Sequence, residues 1–307
     1  MSRESKLFRA QLNIIKPLTG LIPLPLERMI QNKIGDFNRR DYKKGVATID
    51  KVQLPNCLAE IVTPKDIQNE VVVLYIHGGG FCVGDIEYAR GFATTLSVAL
   101  KCKTMSVAYR LAPDHKFPSA LDDVTDAYNY LLSLGICASS IVLVGESAGA
   151  GLCYSLSLKL KFDKQKLPLC IVGISPWVDL TLKHKSYVKN KKSDPSLTKE
   201  KLAKYASMYT DNVKDKLVSP VFTTRFKGMP DTLIIVSDNE ILLDDAILMH
   251  RRYVNAGANS TIIITPNMWH AYVINDTPES RLDLVEIDKF IKECILGKEK
   301  TKVAKAR

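Results

Sequence analysis

The 307-residue chain is 46% hydrophobic and 25% charged, with a formal net charge of +10. That balance excludes a disordered chain and a membrane-spanning one, and it leaves room for a single large core carrying an insertion. No stretch approaches the roughly 20 uninterrupted apolar residues of a spanning helix, and the apolar stretch after Arg3, Glu4 and Lys6 is broken by Pro17, Gly20, Pro23 and Pro25, which does not read as a signal peptide.

The seven cysteines (Cys57, Cys82, Cys102, Cys137, Cys153, Cys170 and Cys294) are odd in number and contain no C-x-x-C pair. They argue against zinc and against a disulfide framework, and a reducing, cytoplasmic setting is the expectation. The positive charges are mostly dispersed. Two lysine-rich runs, 183–192 and the tail 298–307, read as solvated faces, so nucleic acid is not an expected partner.

Taken in chain order, the first 45 residues predict one or two helices. Residues 71–76 then form a continuous apolar run, the pattern of a strand buried on both faces of a parallel sheet. Similar runs recur at 104–108, 141–144, 169–174, 232–236 and 261–264. Between and after them, 118–134, 148–160, 242–254 and 280–295 place apolar residues at helical spacing. Strands alternating with helices predict an α/β fold with a mostly parallel, doubly wound sheet. The polar stretch 183–217 does not fit the alternation, and with 1–45 it predicts a helical cap. The core is then 46–182 and 218–297, and the basic tail 298–307 is expected to be disordered. The strand at 261–264 is open to pairing with a second copy as a homodimer.

Gly145-Glu146-Ser147-Ala148-Gly149 follows one apolar strand and precedes a helical pattern, which is the context that a G-x-S-x-G nucleophile elbow requires. Some 70 residues earlier, His77-Gly78-Gly79-Gly80-Phe81 follows another strand; consecutive glycines leave N–H groups free to stabilise an oxyanion, while His77 itself reads as structural. Behind such an elbow the order is serine, acid, histidine. Of the five histidines, His270 alone follows a late strand. The preceding strand offers Asp238 and Glu240 as acid, and spacing does not choose between them; Asp244 and Asp245 read as first-turn helix charges.

Together these residues closely resemble the hormone-sensitive-lipase-like esterases, arylacetamide-deacetylase-like members included, which have the α/β-hydrolase fold with a helical cap. Tyr109-Arg110-Leu111-Ala112-Pro113 and Ser175-Pro176-Trp177-Val178-Asp179 add to the likeness, which spans about 71–272. The resemblance implies Ser147 as nucleophile, His270 as base, and oxyanion donors from Gly79, Gly80 and Ala148. It aligns Glu240-Ile241-Leu242-Leu243-Asp244-Asp245 with the family's D-P-L-x-D-[DE] motif, selecting Glu240 as acid with Asp238 as the alternative. Glu in place of Asp and Ile241 in place of Pro depart from that motif. The implied substrates are small-molecule esters, with Phe81, Tyr205, Met208, Tyr209 and Trp269 as expected pocket lining. Lactonase and arylacetamide deacetylase activities share the machinery. The related gibberellin receptors bind ligand without catalysis and lack the histidine retained here. No metal, phosphate loop or dinucleotide fingerprint is present, so no cofactor is expected.

Overall fold

The computed structural model describes residues 1–19, 22–37 and 45–306, with the side chains of 18–19, 34–37 and 299–306 not described. The rest of the expected cap, 20–21 and 38–44, lies outside the described residues, as does Arg307. An eight-stranded sheet runs in the order β1-β2-β4-β3-β5-β6-β7-β8. All six expected strands are present as β3 (Val72–Ile76), β4 (Lys103–Val107), β5 (Ile141–Glu146), β6 (Cys170–Ile174), β7 (Asp231–Ser237) and β8 (Ser260–Thr265), paired in parallel. Two further strands, β1 (Ala47–Gln53) and β2 (Leu58–Pro64), pair antiparallel and extend one edge. β8 forms the other edge.

Residues alternate across each central strand between two cores. Leu74, Ile76 and Leu143 face one core, which is covered by α4 (Ser119–Ser133), α5 (Ala148–Phe162) and α8 (Leu243–Asn255). Val73, Tyr75, Val142 and Val144 face the other, covered by α3 (Ile86–Leu100) and α9 (Pro278–Ala306). Burying both faces explains the uninterrupted apolar runs of the central strands. The helix α9 continues through residues 298–306 of the basic tail. Lys, Glu and Ala extend a helix readily once its first turns are fixed by packing.

The cap is built from α1 (Arg3–Thr19), α2 (Leu24–Phe37), the single turn α6 (Ser186–Lys189) and α7 (Lys199–Tyr209). Glu27 on α2 pairs with Lys201 on α7, and Arg28 donates to the carbonyls of Cys82 (2.9 Å) and Ala112 (2.8 Å), so α2 is tied to α7 and to the loops after β3 and β4. Among the described residues no helix is long and apolar enough to cross a membrane.

β3 feeds α3 on one face of the sheet and its neighbour β5 feeds α5 on the other. Such a switch opens a crevice beyond the carboxyl ends of the two strands, where ligands of open α/β sheets bind. The glycine loop and Ser147 lie at that point.

Candidate active site

Ser147 sits between β5 and α5 with φ 55° and ψ −122°, a conformation costing a non-glycine residue roughly 1–3 kcal/mol. Its surroundings hold it there. The Ser147 N–H donates to Ile174 O (2.9 Å), and its carbonyl accepts from the N–H groups of Trp177 (3.1 Å) and Gly151 (3.2 Å). The flanking glycines are dictated by space. A Cβ on Gly145 would stand 2.6 Å from the Gly149 carbonyl, and one on Gly149 would stand 2.0 Å from Ile76 O.

The glycine loop lies directly against this turn, since a Cβ on Gly78 would come within 3.0 Å of Ser147 Cβ. Gly79 (φ 96°) and Gly80 (φ 60°) adopt left-handed backbone. A Cβ on Gly79 would meet Val83 O at 2.1 Å, and one on Gly80 would meet the Tyr205 ring at 2.1 Å. Among the described residues, the N–H groups of Gly79, Gly80 and Ala148 have no protein acceptor. Ala148 opens α5, whose first amides carry the positive end of the helix dipole.

Glu146 braces the two loops together, a role the sequence reading missed. One carboxylate oxygen accepts from Gly78 N–H (2.6 Å) and the Tyr88 hydroxyl (3.1 Å), and the other accepts from the Tyr75 hydroxyl (2.8 Å). Burial pushes this carboxyl up to about 7, opposed by those hydrogen bonds. His77 is structural, as expected: its ring stacks on Tyr109 at 4.3 Å, and burial lowers it to about 4, so it is neutral near pH 7.

Glu240 and His270 stand beyond the carboxyl ends of β7 and β8. Glu240 is fully buried and His270 nearly so, and Glu240 Oε2 lies 3.6 Å from His270 Nδ1. This is an ion-pair distance, longer than a closed hydrogen bond; in unliganded sites such pairs are often long and tighten on binding. Burial raises the Glu240 carboxyl above its ordinary range, while His270 and Ser175 pull it down. Ser175 joins the parts: its hydroxyl donates to Glu240 Oε2 (2.8 Å) and accepts from Ala271 N–H (3.0 Å). The alternative acid, Asp238, points elsewhere, with Oδ1 accepting from the Asn267 N–H at 2.7 Å.

The cap grips the acid loop. Asn190 donates to the carbonyls of Asp238 (2.9 Å) and Glu240 (2.8 Å), and Ser186 to that of Ile241 (2.6 Å). The buried Asp194 carboxylate accepts from Ile241 N–H (2.9 Å) and, through its other oxygen, from Ser196 and Leu197 N–H. A proline at 241 would have no such donor, so the departure at Ile241 is matched by Asp194.

Of the expected pocket residues, Phe81 and Tyr209 stack at 3.9 Å, with Phe117 edge-on to Tyr209; Tyr205 covers Gly80, and half-buried Met208 packs on the same core. Trp269 is a correction. It belongs to the opposite core together with Met268, Tyr272 and Val273, stacked on Phe8 at 5.0 Å and donating to Asn275 Oδ1. A separate cavity of about 610 Å³ opens at the amino ends of β6, β7 and β8, lined by Leu169, Asp231, Ser260 and Cys294, at the far end of the strands from Ser147. Among the described residues no group of His, Cys, Asp and Glu is placed to hold a metal ion.

A family described as the alpha/beta hydrolase fold matches residues 73–274. An esterase of Acinetobacter venetianus is 34% identical over 71% of this chain and 74% of its own length. The carboxylesterase/phospholipase LipF of Mycobacterium tuberculosis is 32% identical over 95% of this chain and 82% of its own. The crystal structure of an esterase from the bacterial hormone-sensitive lipase family superposes with a TM-score of 0.89 at 27% identity, covering 96% of this chain and 99% of the other. With an elbow, a glycine loop and a buried acid–histidine pair gathered at one end of a shared sheet, the chain belongs to the alpha/beta-hydrolase family, in its hormone-sensitive-lipase-like branch of esterases.

Proposed function

We propose that this protein hydrolyses carboxylic esters of small molecules, with Ser147 as nucleophile, His270 as general base and Glu240 as the acid that orients it. The observation that carries this reading is the convergence, at the carboxyl ends of four strands, of a strained serine, unpaired backbone donors and a buried His270–Glu240 pair. Ser147 Oγ attacks the ester carbonyl as His270 takes its proton, and the amides of Gly79, Gly80 and Ala148 hold the oxyanion. His270 then protonates the leaving alcohol. It next takes a proton from water, which attacks the acyl-enzyme; collapse releases the acid and returns the proton to Ser147. Glu240 keeps its carboxylate beside the imidazolium formed in each half.

Short to medium acyl chains suit the aromatic wall, where Phe81, Tyr209 and Phe117 already fill space against one another. A cytoplasmic setting belongs to the same reading: all seven cysteines are free thiols and only Cys137 is exposed. Hydrolysis of p-nitrophenyl esters from acetate to palmitate tests the assignment. Activity concentrated on short chains and abolished in Ser147→Ala is expected. A wild-type protein inactive on every ester, yet active on lactones or aryl acetamides, moves the substrate class; inactivity on all of them removes the hydrolase reading.

A further inference from the structure

The first helix is attached to the body of the protein along one polar face. The hydroxyls of Ser2 and Ser5 donate to the Glu279 carboxylate at the start of α9 (2.9 and 2.6 Å), Phe8 stacks on Trp269, and Lys16 donates to the carbonyls of Lys191 (2.9 Å) and Asp194. Positions 5, 8, 9, 12 and 16 share one side of a helix. In the middle of this row is Arg9. Its Nη1 donates to the carbonyls of Asn267 (2.8 Å) and Met268 (2.7 Å), and its Nη2 donates to that of Ser193 (2.5 Å).

Those three carbonyls belong to two different loops. Asn267 and Met268 lead directly into His270, while Ser193 precedes Asp194, which holds the Ile241 N–H beside Glu240. One planar cation with donors in a fixed fork therefore spans the segment carrying the base and the segment clamping the acid. Bonds from a charged donor are roughly twice as strong as neutral ones; burial pulls the Arg9 guanidinium below its ordinary value, and the charges of Asp194 and Asp238 oppose that in part.

We infer that α1 is a strap that sets the spacing of His270 and Glu240, with Arg9 as its positioning residue. This rests on the site assignment proposed above. A helix that merely covered Trp269 and the start of α9 would contribute stability alone; a strap fixes the relative placement of two loops, and misplacement by about 1 Å costs up to 100-fold in rate.

The test uses the full chain with Arg9→Ala and Arg9→Lys, read by amide hydrogen exchange and by kinetics. Arg9→Ala is expected to speed exchange about tenfold or more in 266–273 and 238–243, including the Asn267 and Ala271 amides bonded to Asp238 and Ser175, while 145–151 is unchanged. It is expected to lower kcat about tenfold with KM within twofold, and to have no further effect on kcat in a Glu240→Gln background, where the pair it positions is already broken. Arg9→Lys, a single ammonium without the fork, is expected to fall between the two in exchange and in kcat. Unchanged exchange in both loops, or a uniform loss of protection across the sheet, overturns the strap. Faster exchange confined to the two loops in a protein that hydrolyses no ester upholds the strap and overturns the site assignment instead.

Discussion

Around Ser147 the chain positions its chemistry with backbone and glycine, whereas around His270 and Glu240 it uses side chains brought from up to 259 residues away. In the first region, adding single Cβ atoms at Gly145, Gly149 or Gly79 would collide with main-chain atoms 2.0–2.6 Å away, so the geometry is fixed by exclusion. In the second, Asn190, Asp194, Ser175 and Ser186 hold the loops by a set of directional bonds. The two kinds of construction fail differently. Steric exclusion is lost by adding atoms; a polar clamp is lost by removing one partner and leaving the other buried and unsatisfied.

Four substitutions sharpen that contrast. The largest effect on rate is expected from Glu240→Gln, which keeps size but removes the charge facing His270; kcat should fall about 10³- to 10⁴-fold in steady-state ester hydrolysis, with stability little changed. Next is Gly79→Ala, whose Cβ displaces the loop and turns its donors away, lowering kcat by about 10²- to 10³-fold while KM for a small ester stays near the wild-type value.

Glu146→Gln is expected to act on stability rather than rate. Burial raises Glu146 from 4.5 to about 7 in the folded chain, so the native state holds this proton more tightly than the unfolded state and stability falls as pH rises through that window. Urea unfolding at pH 5 and pH 8 should show that fall in the wild type. Glu146→Gln should reduce it by up to about 3 kcal/mol, at 1.36 kcal/mol per unit, leaving a slope from Asp245, which burial raises to about 8. The smallest effect is expected from Asp238→Asn, since the hydrogen bond that its carboxylate accepts from the Asn267 amide is one an asparagine oxygen still accepts, leaving only its charge near Arg9 to be lost; kcat should stay within about twofold, as for a surface change worth under 0.5 kcal/mol. A large loss there, with Glu240→Gln near wild type, would exchange their roles.

What the sequence made legible follows the same division. Strands β3 to β7 are readable because both their faces are buried; β8, half-exposed at the sheet edge, is readable from its run of isoleucines alone, and the elbow and glycine loop are readable because their constraints lie between near neighbours. β1 and β2 were not anticipated, since each mixes exposed and buried positions in short polar-rich stretches such as Ala47–Gln53. Trp269 reads as pocket lining because its position beside His270 is evident in the sequence, while the side of the sheet it faces is not. Arg9, Asn190 and Asp194 stand in no motif that marks their roles. Their partners, Asn267, Glu240 and Ile241, are 258, 50 and 47 positions away, and no local pattern records such distances.

A single labelling experiment tests the site most directly: incubation of the purified full chain with a fluorophosphonate, followed by intact-protein and peptide mass spectrometry. One adduct on Ser147, absent in Ser147→Ala and formed at least about 100-fold more slowly in Glu240→Gln, is the predicted result. No adduct, or an adduct on another residue, would contradict the assignment of this site as the centre of a serine hydrolase.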